Sequence, residues 1–189
     1  VTRVWRVVAC VGLLAVIAVV QRVAPGPAEQ YAPITTAGGL GSQVRTEEFV
    51  VRAERVAFAR AVQFKDELGF VGEPMTTPGV WMVVWATAAA TSEALRLQGV
   101  EVETAEGSVY AASDALGTLD KVELQPGMPV HGPLLFEVPP QAVAGVTLKV
   151  FTQGQRGLRW LGGGTSIDLG VKGTPAPAPA LVIGGTREL

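Results

Sequence analysis

Side chains able to do chemistry are few in this chain, and they are scattered. Its 189 residues include one histidine, His131, and one cysteine, Cys10. Zinc is held by several thiolate or imidazole ligands converging on one point, and these two residues do not make such a set. A Ser-His-Asp or Cys-His relay would have to run through His131, which stands in the turn-like PVHGP and reads as a solvent-facing loop histidine. Carboxylates pair at Glu47/Glu48, Asp66/Glu67 and Glu101/Glu103. Glycoside cleavage needs two carboxyl groups facing each other across roughly 5–10 Å. Glu101 and Glu103, two apart on a strand, share one face, which is the pattern of a solvated strand side. Calcium needs about six or more converging oxygens, and no Asp-rich loop offers them. LGGGT, 161–165, lacks the lysine and helix of a phosphate loop and reads as a bend. The expectation is a protein that is not an enzyme, with no catalytic residue, metal or cofactor. A carboxylate-dependent envelope hydrolase is the remote alternative.

One constellation has a plausible use in binding. In VWMVVWAT the alternation places Trp81, Val83 and Trp85 on one strand face and Met82, Val84 and Ala86 on the other. If the second set lines a core, the first forms an apolar patch, and large aromatics are favoured contact anchors. Two readings stay open: an interface made by Trp81, Val83 and Trp85, or the same residues buried or covered within the chain by the tether or a neighbouring loop. Trp160 is a further apolar residue of undetermined direction.

The elements that would position these residues are strands. FVVRAERVAFARAV carries short alternating apolar runs. Val80, Met82, Val84, Ala86 and Ala88 share a face, as do Leu134, Phe136 and Val138, then Val146, Leu148 and Val150, then Ile167, Leu169 and Val171. In LRLQGVEVE the inward parity passes from Leu95 and Leu97 to Val100 and Val102, which places a bulge or turn at Gln98–Gly99. Pro/Gly clusters such as EPMTTPG, QPGMP and VPP separate the runs. Short helical turns fit near 86–94 and 113–121. Many short strands with such turns suggest a β-sandwich. With a single cysteine no intrachain disulfide is available, so packing must hold the sandwich together.

The opening stretch differs from the rest. Val7 to Val20 is apolar all round, which suits lipid better than a half-buried surface. A spanning helix needs about 20 residues, and Val4 to Ala24 provides them, with Arg6, Gln21 and Arg22 near the ends and Trp5 at interfacial depth. The expected anchor is lined by Val7, Leu13, Leu14, Ile17 and Val20. Arg3, Arg6 and the N-terminal amine outnumber Arg22, which predicts a cytoplasmic N-terminus and an exported remainder. A cleaved signal shares these features, but the residues around Ala24 and Ala28 make poor cleavage sites. Formal net charge is −2 with no run of Lys or Arg, so a nucleic-acid groove has no electrostatic basis. Mean hydropathy is +0.34, to which the opening segment contributes.

Within 126–139, PGMPVHGPLLFEVP, a Pro-Gly turn is followed by Gly-x-Leu-Leu-Phe-Glu-Val-Pro. Together with GVWMVVWATAAAT, EGSVYAA and FVVRAERVAFAR it resembles a bacterial extracytoplasmic immunoglobulin-like domain family of unknown function. The resemblance spans about 41–151 and departs at Trp85, where an outward polar residue is usual. It implies secreted, lipid-anchored or membrane-anchored placement and attaches no catalytic residue to its motif.

The resulting expectation is an all-β chain. An immunoglobulin-like antiparallel β-sandwich (42–171) follows a cytoplasmic stub with a transmembrane signal-anchor helix (1–24) and a flexible linker (25–41). A disordered Pro/Ala-rich tail (172–189) ends it. Its function is that of a non-enzymatic extracytoplasmic binding or accessory module. It contacts membrane lipid through the helix and an envelope or membrane protein through the sandwich; a freely secreted form of the same fold is the alternative.

Overall fold

The computed structural model describes residues 35–66, 68–152 and 163–189, together with Trp5, Gly12, Leu13 and Ile17. Two units separate, 1–32 and 33–189. In the first, the four described residues are helical and exposed, Leu13 and Ile17 of the expected anchor among them. Val7, Leu14 and Val20, with Arg3, Arg6 and Cys10, lie outside the described residues. Among the described residues, no helix is long and apolar enough to cross a membrane.

The second unit is a β-sandwich. Its strands are β1 (Thr35–Gly39), β2 (Gln43–Arg45), β3 (Phe49–Lys65), β4 (Met75–Ala90), β5 (Leu95–Arg96), β6 (Gly99–Glu103), β7 (Val109–Ala111), β8 (Glu123–Leu124), β9 (Val130–Val138), β10 (Thr147–Phe151), β11 (Gly164–Asp168), β12 (Leu181–Gly184) and β13 (Arg187–Glu188). One sheet runs β1-β11-β10-β6-β7 and the other β12-β3-β4-β9-β13, with β2 beside β3; β5 and β8 form a small third pair.

Alternation explains the core. Val80, Met82, Val84, Ala86 and Ala88 of β4 are buried on one side, against Leu134, Phe136 and Val138 of β9 and Val51 and Ala53 of β3. The opposite sheet supplies Val100 and Val102, Leu148 and Val150, and Ile167. The change of parity at Gln98–Gly99 marks the passage of the chain from β5 to β6, that is, from one sheet to another. Of the two short helical turns expected, one occurs, a 3-10 turn at Leu119–Lys121; 86–90 continues β4 instead. The turn QPGMP holds Gly127 at φ +73°, a conformation open to glycine without steric cost.

Three expectations are corrected here. The linker expected over 25–41 contains a strand, β1, which pairs parallel with β11. The tail expected to be disordered over 172–189 is ordered: β12 pairs parallel with β3, and β13 pairs antiparallel with β9. These two parallel pairings mean that the sandwich is not purely antiparallel. In both, the paired strands lie far apart in the chain, and such pairs are not bound by hairpin geometry.

Candidate functional site

The outer side of the β3-β4-β9 sheet divides into a covered half and an open half. The covered half contains Trp81, Val83 and Trp85. Between Ala59 and Ala61 the partner residue on β4 jumps from Trp81 to Thr76, and this break lets the end of the β3–β4 hairpin fold over the sheet. The Trp81 indole N–H then donates to the Met75 carbonyl at 2.9 Å. Ala59 and Val62 of the hairpin, Leu135 of β9 and Ile183 of β12 pack with Trp81, Val83 and Trp85 in a second apolar cluster. Arg55 closes it, its guanidinium carbon 3.6 Å from the centre of the Trp85 ring, a cation–π contact.

Of the two readings left open, the interface one is corrected: Trp81, Val83 and Trp85 are covered within the chain. Trp81 and Trp85 are about 7% and 6% exposed and Val83 is fully buried. Their cover is neither the tether nor a loop; it is the hairpin end and a C-terminal strap, residues 178–184, which pairs with β3 at Ala59 and along β12. Trp160 and Glu67 lie outside the described residues.

His131 is also not where a loop reading puts it. It belongs to β9 and is partly buried, with Nδ1 3.4 Å from Glu54 Oε2 and 3.3 Å from Thr87 Oγ1. The Thr87 hydroxyl donates to Glu54 Oε1 at 2.8 Å. The paired carboxylates separate into local roles. Asp66 accepts the Phe70 N–H at 2.8 Å. Glu48 accepts the Thr152 hydroxyl. Glu103 pairs with Lys149, and Glu101, expected on a solvated face, is buried. Among the described residues, no three His, Cys, Asp or Glu side chains are grouped to hold a metal ion.

The open half is a groove of about 490 Å³, lined by Gln43, Arg45, Val50, Arg52, Glu54, Thr87, Ala89, Thr91, Pro129 and Leu189 among others. Strand register builds it. Gln43 stands opposite Arg52, Arg52 opposite Thr87, Thr87 opposite His131, and His131 opposite Arg187. Residues directly opposite in a ladder share a face, so one row of polar side chains runs across all five strands. The next row sets Arg45 opposite Val50 and Val50 opposite Ala89, which gives an apolar floor beside an arginine. Arg45, Arg52 and Arg187 are exposed and, among the described residues, take part in no ion pair. The one carboxylate side chain of the lining, Glu54, accepts the Thr87 hydroxyl and lies beside His131. The groove thus sets two arginine side chains, Arg45 and Arg52, against one carboxylate side chain over a small apolar patch.

No family model matches the chain. No curated protein matches it either. Among solved structures it is similar to an uncharacterized beta-sandwich protein from Clostridium difficile 630, at 12% identity and a TM-score of 0.48, covering 76% of this chain and 99% of that one.

A second depression, of about 460 Å³, lies by the β5–β8 pair and is lined by Glu48, Glu93, Glu123, Arg96 and Thr152 among others. It mixes both signs of charge. Sequence reasoning did not find the arginine groove. Its residues come from β2, β3 and β4, from the turn before β9 and from Leu189 after β13, and in the strands they belong to the outer half of an alternation.

Proposed function

We propose that this chain is a non-catalytic binding or accessory module of a bacterial cell envelope. Its N-terminal segment anchors it in the membrane, and its sandwich, of immunoglobulin-like type, lies on the extracytoplasmic side. The partner is an envelope or membrane protein, and the contact is the open half of the β3-β4-β9 sheet. The observation that carries this reading is the pair of exposed arginines, Arg45 and Arg52, that take part in no ion pair among the described residues and stand beside the Val50/Ala89 floor. Complementary charge across a contact steers and orients a partner, and Arg is a residue enriched at contact centres. The apolar run 7–20 and the arginine balance around it support the anchor and its orientation.

The test is site-specific photocrosslinking in native membranes. A photoreactive residue replacing Gln43, which is exposed at the groove, captures one defined protein, and the Arg45→Ala/Arg52→Ala double variant loses that adduct. A photoreactive residue replacing the exposed Val109, on the other sheet, serves as control. Equal capture from both positions, or capture indifferent to the two arginines, overturns the reading.

A further inference from the structure

We propose that the groove recognises an extended acidic peptide segment of its partner, with two carboxylates two residues apart. The inference rests on the preceding reading of the groove as the contact surface and adds the chemistry of what enters it. Arg45 lies opposite Val50, and Arg52 is two residues beyond Val50 on the same strand. Arg45 and Arg52 are thus diagonal neighbours on one face, with Cα atoms about 7–8 Å apart. In an extended peptide, residues i and i+2 point to the same side about 6.5–7 Å apart. Two Asp or Glu side chains at that spacing meet the two guanidinium groups in register. Each guanidinium can grip a carboxylate through two parallel N–H bonds.

The surroundings fit the same occupant. Val50 and Ala89 give a floor for the peptide's carbon atoms. Gln43, beside Arg52, brings an amide able to donate or accept toward the peptide backbone. Arg187, two strands beyond Thr87 in the row, extends the positive field to the far side. Glu54, the one carboxylate side chain of the lining, accepts the Thr87 hydroxyl and lies beside His131, and among the described residues it forms no ion pair with either arginine. Thr91 Oγ1, at the groove's end, is buried without a hydrogen-bond partner among the described residues, and a peptide amide or carboxylate there would satisfy it.

The experiment uses the full chain in neutral detergent and a fluorescein-labelled dodecapeptide of alternating Asp and Val, read by fluorescence anisotropy. Two peptides of the same length are compared: one with Asn for every Asp, and one with its Asp residues adjacent in pairs. The alternating peptide binds at least tenfold more tightly than either. Arg45→Ala/Arg52→Ala weakens it by about tenfold or more, the scale of one or two charge-assisted bonds. Both positions are exposed, so the variant's thermal midpoint stays at the wild-type value. Equal binding of the Asp and Asn peptides, indifference to spacing, or tighter binding of a short DNA duplex than of any peptide overturns the proposal. If crosslinking from Gln43 still captures one arginine-dependent partner while the peptides fail, the acidic-segment inference falls and the docking surface stands. If the alternating peptide binds while crosslinking captures nothing, the peptide chemistry holds and the membrane-partner reading falls.

Discussion

Ile183→Ala tests whether the C-terminal strap is part of the fold. Ile183 is about 2% exposed and packs with Trp81, Val83, Trp85 and Leu135. The substitution removes three carbons from that contact. At about 0.8 kcal/mol for each buried methylene-sized group, the transfer loss is roughly 2.4 kcal/mol. The cavity left behind adds to it, and truncations of this type cost about 2–5 kcal/mol. A loss of about 3 kcal/mol is expected, a large share of the roughly 5–15 kcal/mol that holds a domain folded. Val182 makes the control: it lies on the same strand but is 50% exposed, so Val182→Ala should stay within about 0.5 kcal/mol of wild type. Urea unfolding followed by far-UV circular dichroism gives the free energies. Tryptophan emission gives the site, once Trp5→Phe and Trp160→Phe leave Trp81 and Trp85 as the reporters among the four tryptophans. Ile183→Ala should shift their emission to the red at low urea, because it loosens the cover over both rings. If Ile183→Ala and Val182→Ala unfold alike and emission does not move, the strap does not pack on the tryptophans and the account of the covered half is wrong.

Two other predictions concern the register break in β4 and the charge cluster of Asp114, Asp120 and Lys121. A Cβ added at Gly79 would stand 2.7 Å from the Val138 carbonyl oxygen, a backbone atom that cannot step aside, so Gly79→Ala should destabilise by about 1–3 kcal/mol in the same urea assay, with Val138→Ala giving no rescue. The Lys121 ammonium, bonded at 2.9 Å, holds the Asp114 carboxyl below its ordinary range, and Asp114 and Asp120 in turn raise Lys121. The Asp114 contribution to stability is therefore present above its unfolded value of about 3.8 and fades as pH falls through its lower folded value. The Lys121 contribution is full below its ordinary 10.5 and fades as pH rises through its higher folded value. Carbon-13 NMR titration of the Asp114 carboxyl should give a midpoint below the ordinary one, and Lys121→Met should return it upward; an unchanged midpoint refutes the pairing.

What the residues disclosed in advance was the inner face of the main strands. Alternation marks a buried side plainly where the other side is polar, as at 146–150 and 167–171; at 80–88 and 134–138 the outer side carries Trp81, Val83, Trp85 and Leu135, which are buried too. The strap shows why the tail reads otherwise. Proline has no N–H, and PAPAPA offers too few donors to suggest a ladder. The intervening alanine is enough: the Ala178 N–H donates to the Phe58 carbonyl at 2.8 Å and its carbonyl accepts the Arg60 N–H at 2.9 Å. Pro177 and Pro179 on either side fall at positions that an edge strand tolerates. His131 misleads in the same way. PVHGP looks like a turn because two prolines flank it, yet β13 stops opposite His131, so Pro133 lies just past the end of that pairing.

The groove was hidden for a deeper reason. Its row, Gln43-Arg52-Thr87-His131-Arg187, is assembled by register between segments up to 144 positions apart in the chain. A shift of one residue in any one pairing would send that strand's side chains to the other face and break the row. Each strand states only which of its faces is wet. Which wet residues become neighbours is decided by the breaks and turns between strands, among them the jump from Trp81 to Thr76, which also folds the hairpin over the tryptophans. The ladder's other shift, between Ala53 and Arg55, stands where the covered half, beginning at the Arg55–Trp85 pair, meets the open half at Arg52–Thr87, so two local irregularities divide one sheet face into an apolar half and a charged one.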